Sequence, residues 1–172
     1  MTHALKAALL LGALALSACT NADRFNTPDA GDSGSRTGID QSELGSADDP
    51  ESPAYFNQTI GDRVLFAVDQ STLSDDAESV LEGQAQWLLT NSDYRAVIEG
   101  HADEQGTREY NLALGARRAN AVRDFLVSQG VAANRIRTVS YGKERPLAVC
   151  SDESCYSQNR RAVTVISLGA TS

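Results

Sequence analysis

The chain is expected to fold as an α/β protein, an α+β sandwich in which a mixed sheet of βαβαβ type is covered by helices mainly on one face. Two observations lead there. Short apolar runs alternate with long helical patterns from residue 64 to residue 167, and no internal repeat breaks that alternation. Val64-Leu65-Phe66-Ala67-Val68 reads as a buried strand. Ser74 is a suitable N-cap, and Asp75 and Asp76 suit the positive end of the helix that follows, which carries Ala77, Val80, Leu81, Ala85, Leu88 and Leu89 at helical spacing. Trp87 falls among them, as core or as a partner face. Tyr94 to Glu99 alternates as a second strand. A long helix covers about 111–129, with Leu114, Ala121, Val122, Phe125 and Leu126 toward the core and Gly130 just past its end. Residues 135–140 form a third strand, 154–160 a short helix and 162–167 a last strand.

Two segments of different character precede residue 55. Residues 4–16 are nearly all Ala, Leu and Gly, with Lys6 the only firm positive charge; the run is too short to span a bilayer and suits a secretory signal. Leu16-Ser17-Ala18-Cys19 resembles the cleavage box of bacterial lipoproteins. That resemblance implies a signal peptide at 1–18 and several acyl chains on Cys19, enough for a stable anchor. In such lipoproteins an Asp after the Cys retains the chain in the inner membrane. Thr20 stands here, so the expected location is the outer membrane, facing the periplasm of a Gram-negative-type envelope.

Residues 19–54 read as the lipidated Cys and a disordered acidic linker, rich in Gly, Ser, Asp, Thr and Pro and poor in large apolar residues. From residue 20 it holds eight acids against Arg24 and Arg36. As a coil of 35 residues its ends would lie about 30–35 Å apart, with a stretched reach of roughly 115–125 Å. Residues 55–172 are the expected folded domain. The full chain has a net charge of -8, which argues against nucleic acid as a partner. Cys150 and Cys155 form a candidate disulfide, permissible in an exported protein, with free thiols or half of a metal site as the rivals. No His or second Cys pair lies near them in sequence, which leaves the metal reading weak.

The richest run for chemistry is Gly100 to Ala121, GHADEQGTREYNLALGARRANA. Asp103 lies just past a strand and Arg118 within the next helix, a carboxylate and a guanidinium able to grip a ligand bearing an ammonium and a carboxylate. This run, with VSYGKERP at 139–146 and YSQNRRA at 156–162, resembles the OmpA-like peptidoglycan-binding domain family over about residues 60–168. The resemblance implies non-covalent binding of the peptidoglycan stem peptide at its diaminopimelate, with no cofactor. Asp103 would pair with the ammonium, Arg118 with the carboxylate, and Asp69 would supply the second acidic position. Asn111 and Leu114 would line the pocket, with Thr107 on the loop between. The family commonly has an aromatic where Val68 stands, so one aromatic wall is missing here. Lipid-anchored members imply the β-propeller protein TolB as a partner, with TolA a further candidate.

Other readings stay open. Asp103 could cap the loop or the helix start, and Arg118 could bridge Glu109 or Asp124 on a solvated face. His101 reads as a ring held by a structural hydrogen bond, and Arg117 as a surface charge. Asn159-Arg160-Arg161 could bind ligand or partner, or hold the loop beside the pocket. A cell-wall hydrolase using Asp103 and Asp69 as an acid–base pair is the enzyme alternative, and an interaction adaptor is another. The chain shows no Ser-His-Asp or Cys-His order, no zinc spacing and no phosphate loop, so the expectation is a binder and not an enzyme. A role confined to the ligand predicts that Asp103→Ala and Arg118→Ala each abolish binding and leave the fold intact.

Overall fold

The computed structural model describes residues 45–169. The expected signal peptide at 1–18, Cys19 and most of the linker lie outside the described residues. Helix α1 (Pro53–Tyr55) runs into a π-helical stretch, Phe56–Gly61. Then follow β1 (Arg63–Leu65), α2 (Asp75–Thr90), β2 (Tyr94–His101), α3 (Arg108–Ser128), β3 (Ile136–Gly142), α4 (Glu153–Asn159) and β4 (Arg161–Leu168). The sheet order is β1-β4-β2-β3, with β4 antiparallel to both neighbours and β2 parallel to β3. A parallel pair needs a crossover, and α3 supplies it.

Burial follows the pleat. Ala96 and Ile98 of β2 pair with Ile166 and Thr164 of β4, and all four are buried, whereas Val97, Glu99, Val163 and Val165 between them are only half-buried. One face of the sheet is therefore covered, as expected, by α3 against β2 and β3 and by α2 against β1 and α3. Their shared core includes Phe56, Leu81, Leu88, Ile98, Val122 and Leu126. Trp87 belongs to this core: its ring packs between Phe56 and Tyr94, with centroids 5.0 and 4.9 Å away. Its Nε1 donates to Pro50 O at 2.7 Å.

That last bond ties residues before 55 to the domain. Ser52 and Ala54 are buried, and the Ser52 side chain caps α1, so packing begins before the expected boundary at residue 55. An indole N–H buried in a core needs an acceptor, and the residues read as the end of the linker provide it. Strand β1 is also shorter than the expected 64–68. Phe66 N still donates to Arg160 O at 2.8 Å, but the chain then turns, with Gln70 N on Ala67 O at 3.2 Å. Helix α3 starts three residues earlier than periodicity suggested, because the Thr107 side chain accepts from Tyr110 N. Gly130, with φ 103°, closes its far end as expected.

Candidate functional site

Three segments meet at the C-terminal end of β2: the 67–70 turn, the 102–107 loop and the first turns of α3. Between them lies a cavity of about 290 Å³ lined by Val68, Asp69, Asp103, Asn111, Leu114 and Tyr110, with Gln105 and Gly106 completing it. Of the residues singled out from sequence, Asp69, Asp103, Asn111 and Leu114 thus share one wall-lined space. Asn111 and Leu114 lie on one face of α3, and Arg118 follows them a turn later on that face.

Asp69 sits in the left-handed region, with φ 59°. The bond from Gln70 N to Ala67 O makes it the third residue of a type II-like turn, a position that asks for Gly or Asn and tolerates Asp. The Tyr110 hydroxyl donates to Asp69 Oδ1 across the cavity mouth, and this bond raises the phenol pKa. Asp103 is almost wholly buried; its Oδ1 accepts from Gln105 N at 3.3 Å and its Oδ2 from Arg160 Nη1 at 3.3 Å. Lys143 ties down the 102–107 loop by donating to Gly106 O at 2.7 Å and Glu104 O at 3.3 Å. Asn111 Nδ2 donates to Gln105 O at 2.8 Å, while its buried Oδ1 has no partner.

Arg118 and Thr107 are not among the residues that line this cavity. Arg118 is fully buried. Its Nε donates to Gln70 O at 2.8 Å, Nη1 to His101 O at 2.7 Å and Nη2 to Ala67 O at 3.2 Å. The guanidinium therefore clamps the turn that carries Asp69 to the end of β2, two residues before Asp103. Each Nη keeps one further N–H. Burial pushes its pKa down to about 10, with Asp103 and Asp69 opposing the fall and Arg160 adding to it; the group stays charged at neutral pH. It bridges neither Glu109 nor Asp124; Asp124 instead pairs with Arg123. The Thr107 hydroxyl serves as the N-cap of α3.

His101 departs from the expected structural hydrogen bond. The ladder shifts register between Gly100 and His101, and the buried ring is left with no partner on either nitrogen; Nε2 lies 3.6 Å from Glu99 Oε2. Burial first, then Arg161 and Arg145, lowers its pKa from 6.5 to about 4. The unfolded chain thus binds more protons than the folded one between those values, and stability is expected to fall as pH drops from about 6.5 to about 4, by up to roughly 3 kcal/mol. Urea midpoints measured across that range check this. His101→Phe should flatten the decline; equal declines in both chains would rule the histidine out as its source.

Within the Asn159-Arg160-Arg161 run, Asn159 and Arg161 hold neighbouring loops, whereas Arg160 reaches Asp103. Asn159 Oδ1 accepts from Leu147 N at 2.7 Å and Ala148 N at 3.1 Å, and Arg161 Nη2 donates to Arg145 O at 3.2 Å. Cys150 and Cys155 are joined as a disulfide. The residues that sequence reasoning passed over are Tyr110, Gln105 and Gly106 in the lining, and Arg160 as the partner of Asp103. Tyr110 carried a usable signal, since it lies four residues before Leu114 and seven after Asp103. Arg160 was singled out as a residue beside the pocket, but its pairing with Asp103 had no local signal, because 57 residues separate the two.

The OmpA family model matches residues 65–160, more than half of the chain. A protein named peptidoglycan-associated lipoprotein from Mesorhizobium japonicum is 63% identical over 118 residues, covering 69% of this chain and 70% of the relative. Its namesake from Agrobacterium fabrum is 54% identical over 157 residues, covering 90% of this chain and 82% of the relative. The crystal structure of the peptidoglycan-associated lipoprotein from Burkholderia pseudomallei is similar with a TM-score of 0.63 at 40% identity, over 70% of this chain and 98% of that one. The matched span holds the βαβ crossover, the clamping arginine and all the cavity-lining residues: the chain belongs to the OmpA family.

Proposed function

We propose that this protein is an outer-membrane lipoprotein that binds peptidoglycan without covalent chemistry and tethers the outer membrane to the cell wall. The observation that carries this reading is the cavity in which Asp69 and Asp103 face one space beside the buried charge of Arg118. Two carboxylates suit the ammonium at the side-chain end of diaminopimelate. The unpartnered Asn111 Oδ1 offers an acceptor in the same space, and the Arg118 charge buried beside it attracts the neighbouring carboxylate of the ligand. Relatives bearing the name peptidoglycan-associated lipoprotein support the same ligand. Lipid on Cys19 would hold the chain in the outer membrane, and the segment after it would span the gap to the wall. Many weak contacts along one sheet of polymer then add up to a firm attachment. In this reading the protein works in the Tol–Pal system, with TolB and TolA as partners, and supports envelope integrity and cell division.

Asp103→Asn tests the reading, since it removes one charge without changing shape. A charge-assisted hydrogen bond contributes about 1.5–3 kcal/mol, so affinity for a diaminopimelate muropeptide is expected to fall about 10- to 100-fold; because Asp103 is buried against Arg160, thermal unfolding of the variant is measured alongside and binding is compared where both chains are folded. If the variant sediments with purified sacculi as the wild type does, the assignment is wrong. The hydrolase alternative is checked in the same tube: release of soluble wall fragments by the wild type and not by Asp103→Asn would favour it. The adaptor reading is checked by titrating TolB against the bound muropeptide, where mutual weakening marks a shared surface.

A further inference from the structure

Around Asp103 the charges do not balance in pairs. Arg160 is buried, yet its guanidinium serves two carboxylates: Nη1 lies 3.3 Å from both Asp103 Oδ2 and Glu153 Oε2, and Nη2 donates to Glu153 Oε1. Its Nε is held by Phe66 O at 3.2 Å, which keeps the fork in place. Glu153 therefore takes the double contact and Asp103 the single one. The Arg160 pKa is raised by Glu153 first and by Asp103 less, in keeping with that division. With Arg118 beside Asp103 and Asp69, two arginines stand among three carboxylates, Asp69, Asp103 and Glu153, which leaves an excess negative charge that a ligand ammonium can neutralise.

What holds Glu153 there is local. It is the first residue of α4, a helix of seven residues and too short to persist by itself. Its side chain is 65% exposed, and an ion pair so open to water contributes little unless its geometry is imposed. The Cys150–Cys155 disulfide closes over this first turn, and Asp152 caps it by accepting from Ser154 N at 2.9 Å. The clasp thus fixes the backbone from which Glu153 reaches Arg160.

We infer that Glu153 is a positioning residue for the ligand site, and that the Cys150–Cys155 clasp, by holding it on Arg160, keeps the Asp103 carboxylate available for an ammonium ligand. Reduction by a dithiol gives two cysteine thiols and leaves the dithiol as its own disulfide, two electrons and two protons passing to the cysteines. The first turn of α4 then loosens, Glu153 leaves Arg160, and the arginine pairs with Asp103 alone. Affinity for an ammonium ligand drops, and the site becomes sensitive to the thiol–disulfide state of its compartment.

This rests on the binding reading above, and the test separates the two. Calorimetry on the full chain uses a diaminopimelate muropeptide and the same peptide acetylated on the side-chain amine. Reduction with dithiothreitol, the Cys150→Ser/Cys155→Ser double variant and Glu153→Gln are each expected to weaken binding of the first ligand about three- to tenfold. None should alter the residual binding of the acetylated peptide by more than about twofold. Glu153→Gln should also abolish any further effect of reduction, which a merely loosened fold would not do. Unchanged affinity in Glu153→Gln, or an equal loss for both peptides, overturns the inference while leaving the binding reading intact. Failure of the oxidised wild type to bind the unmodified muropeptide overturns both.

Discussion

Arg118→Ala is expected to destabilise the folded chain by at least about 3 kcal/mol, lowering its melting temperature by roughly 10 °C or more. The side chain is fully buried, and three backbone carbonyls, those of Ala67, Gln70 and His101, take their hydrogen bonds from it. Truncation takes the side-chain donor from all three, of which Ala67 O alone keeps a known backbone donor in Gln70 N, and removes the guanidinium that lies over the Phe66 ring, 5.1 Å from its centroid. Arg118→Lys keeps the charge but not the fork, so it can serve one or two of the three carbonyls and should fall between. Thermal and urea unfolding followed by circular dichroism measure this. A melting temperature within about 3 °C of wild type for the alanine variant would show that the clamp contributes little. The burial of Arg118 and its three carbonyl contacts speak against the expectation that this substitution spares the fold. Lost muropeptide binding in Arg118→Ala cannot be read as a lost ligand contact, whereas the loss in Asp103→Asn can wherever thermal unfolding shows that variant folded.

Gly100→Ala is expected to be the second severe change. A Cβ at this position would lie 1.9 Å from Gly115 O and 2.6 Å from Gly115 C, both backbone atoms of α3. Nothing flexible can yield, so the helix must lift from the sheet. Overpacking of this kind costs about 1–3 kcal/mol or somewhat more, and this contact belongs at the upper end. The displaced helix carries Asn111, Leu114 and Arg118, so binding should weaken with stability. Gly115→Ala meets Ser140 Oγ at 2.4 Å and Gly100 O at 2.8 Å, and should cost less because the serine can rotate, though only by giving up its bond to Leu112 O. Because the two glycines share one contact, the double variant should be less destabilised than the singles added together. Additive losses in unfolding free energy would mean that the helix does not move as one body.

The order and type of the main elements were legible because their signals are local. The Ser74 cap, the apolar spacing of Ala77, Leu81, Ala85 and Leu88, and Gly130 all act within a turn or two of themselves. The start of α3 differs from expectation for a local reason too, since the apolar residues begin only after Asn111 while the cap is Thr107. The shortening of β1 had no such signal. Phe66 to Val68 look like strand, but Arg118, some fifty residues later, draws the carbonyls of Ala67 and Gln70 into a turn. The packing of residues 46–54 was hidden likewise, because it depends on an indole 37 residues away.

Resemblance and residue type together nominated Asp69, Asp103, Asn111, Leu114 and Arg118; a βαβ unit by itself brings only the end of β2 and the start of α3 to one rim, and so accounts for Asp103, Asn111 and Leu114. Chain order carries no information about which groups share a charge across long separations. So the pairing of Arg160 with both Asp103 and Glu153, the burial of Arg118 and the unpartnered ring of His101 emerged only when the chain was folded. The physical reason is that propensity and periodicity are written in neighbouring residues, whereas desolvation and hydrogen-bond partnership are properties of the space those residues enclose.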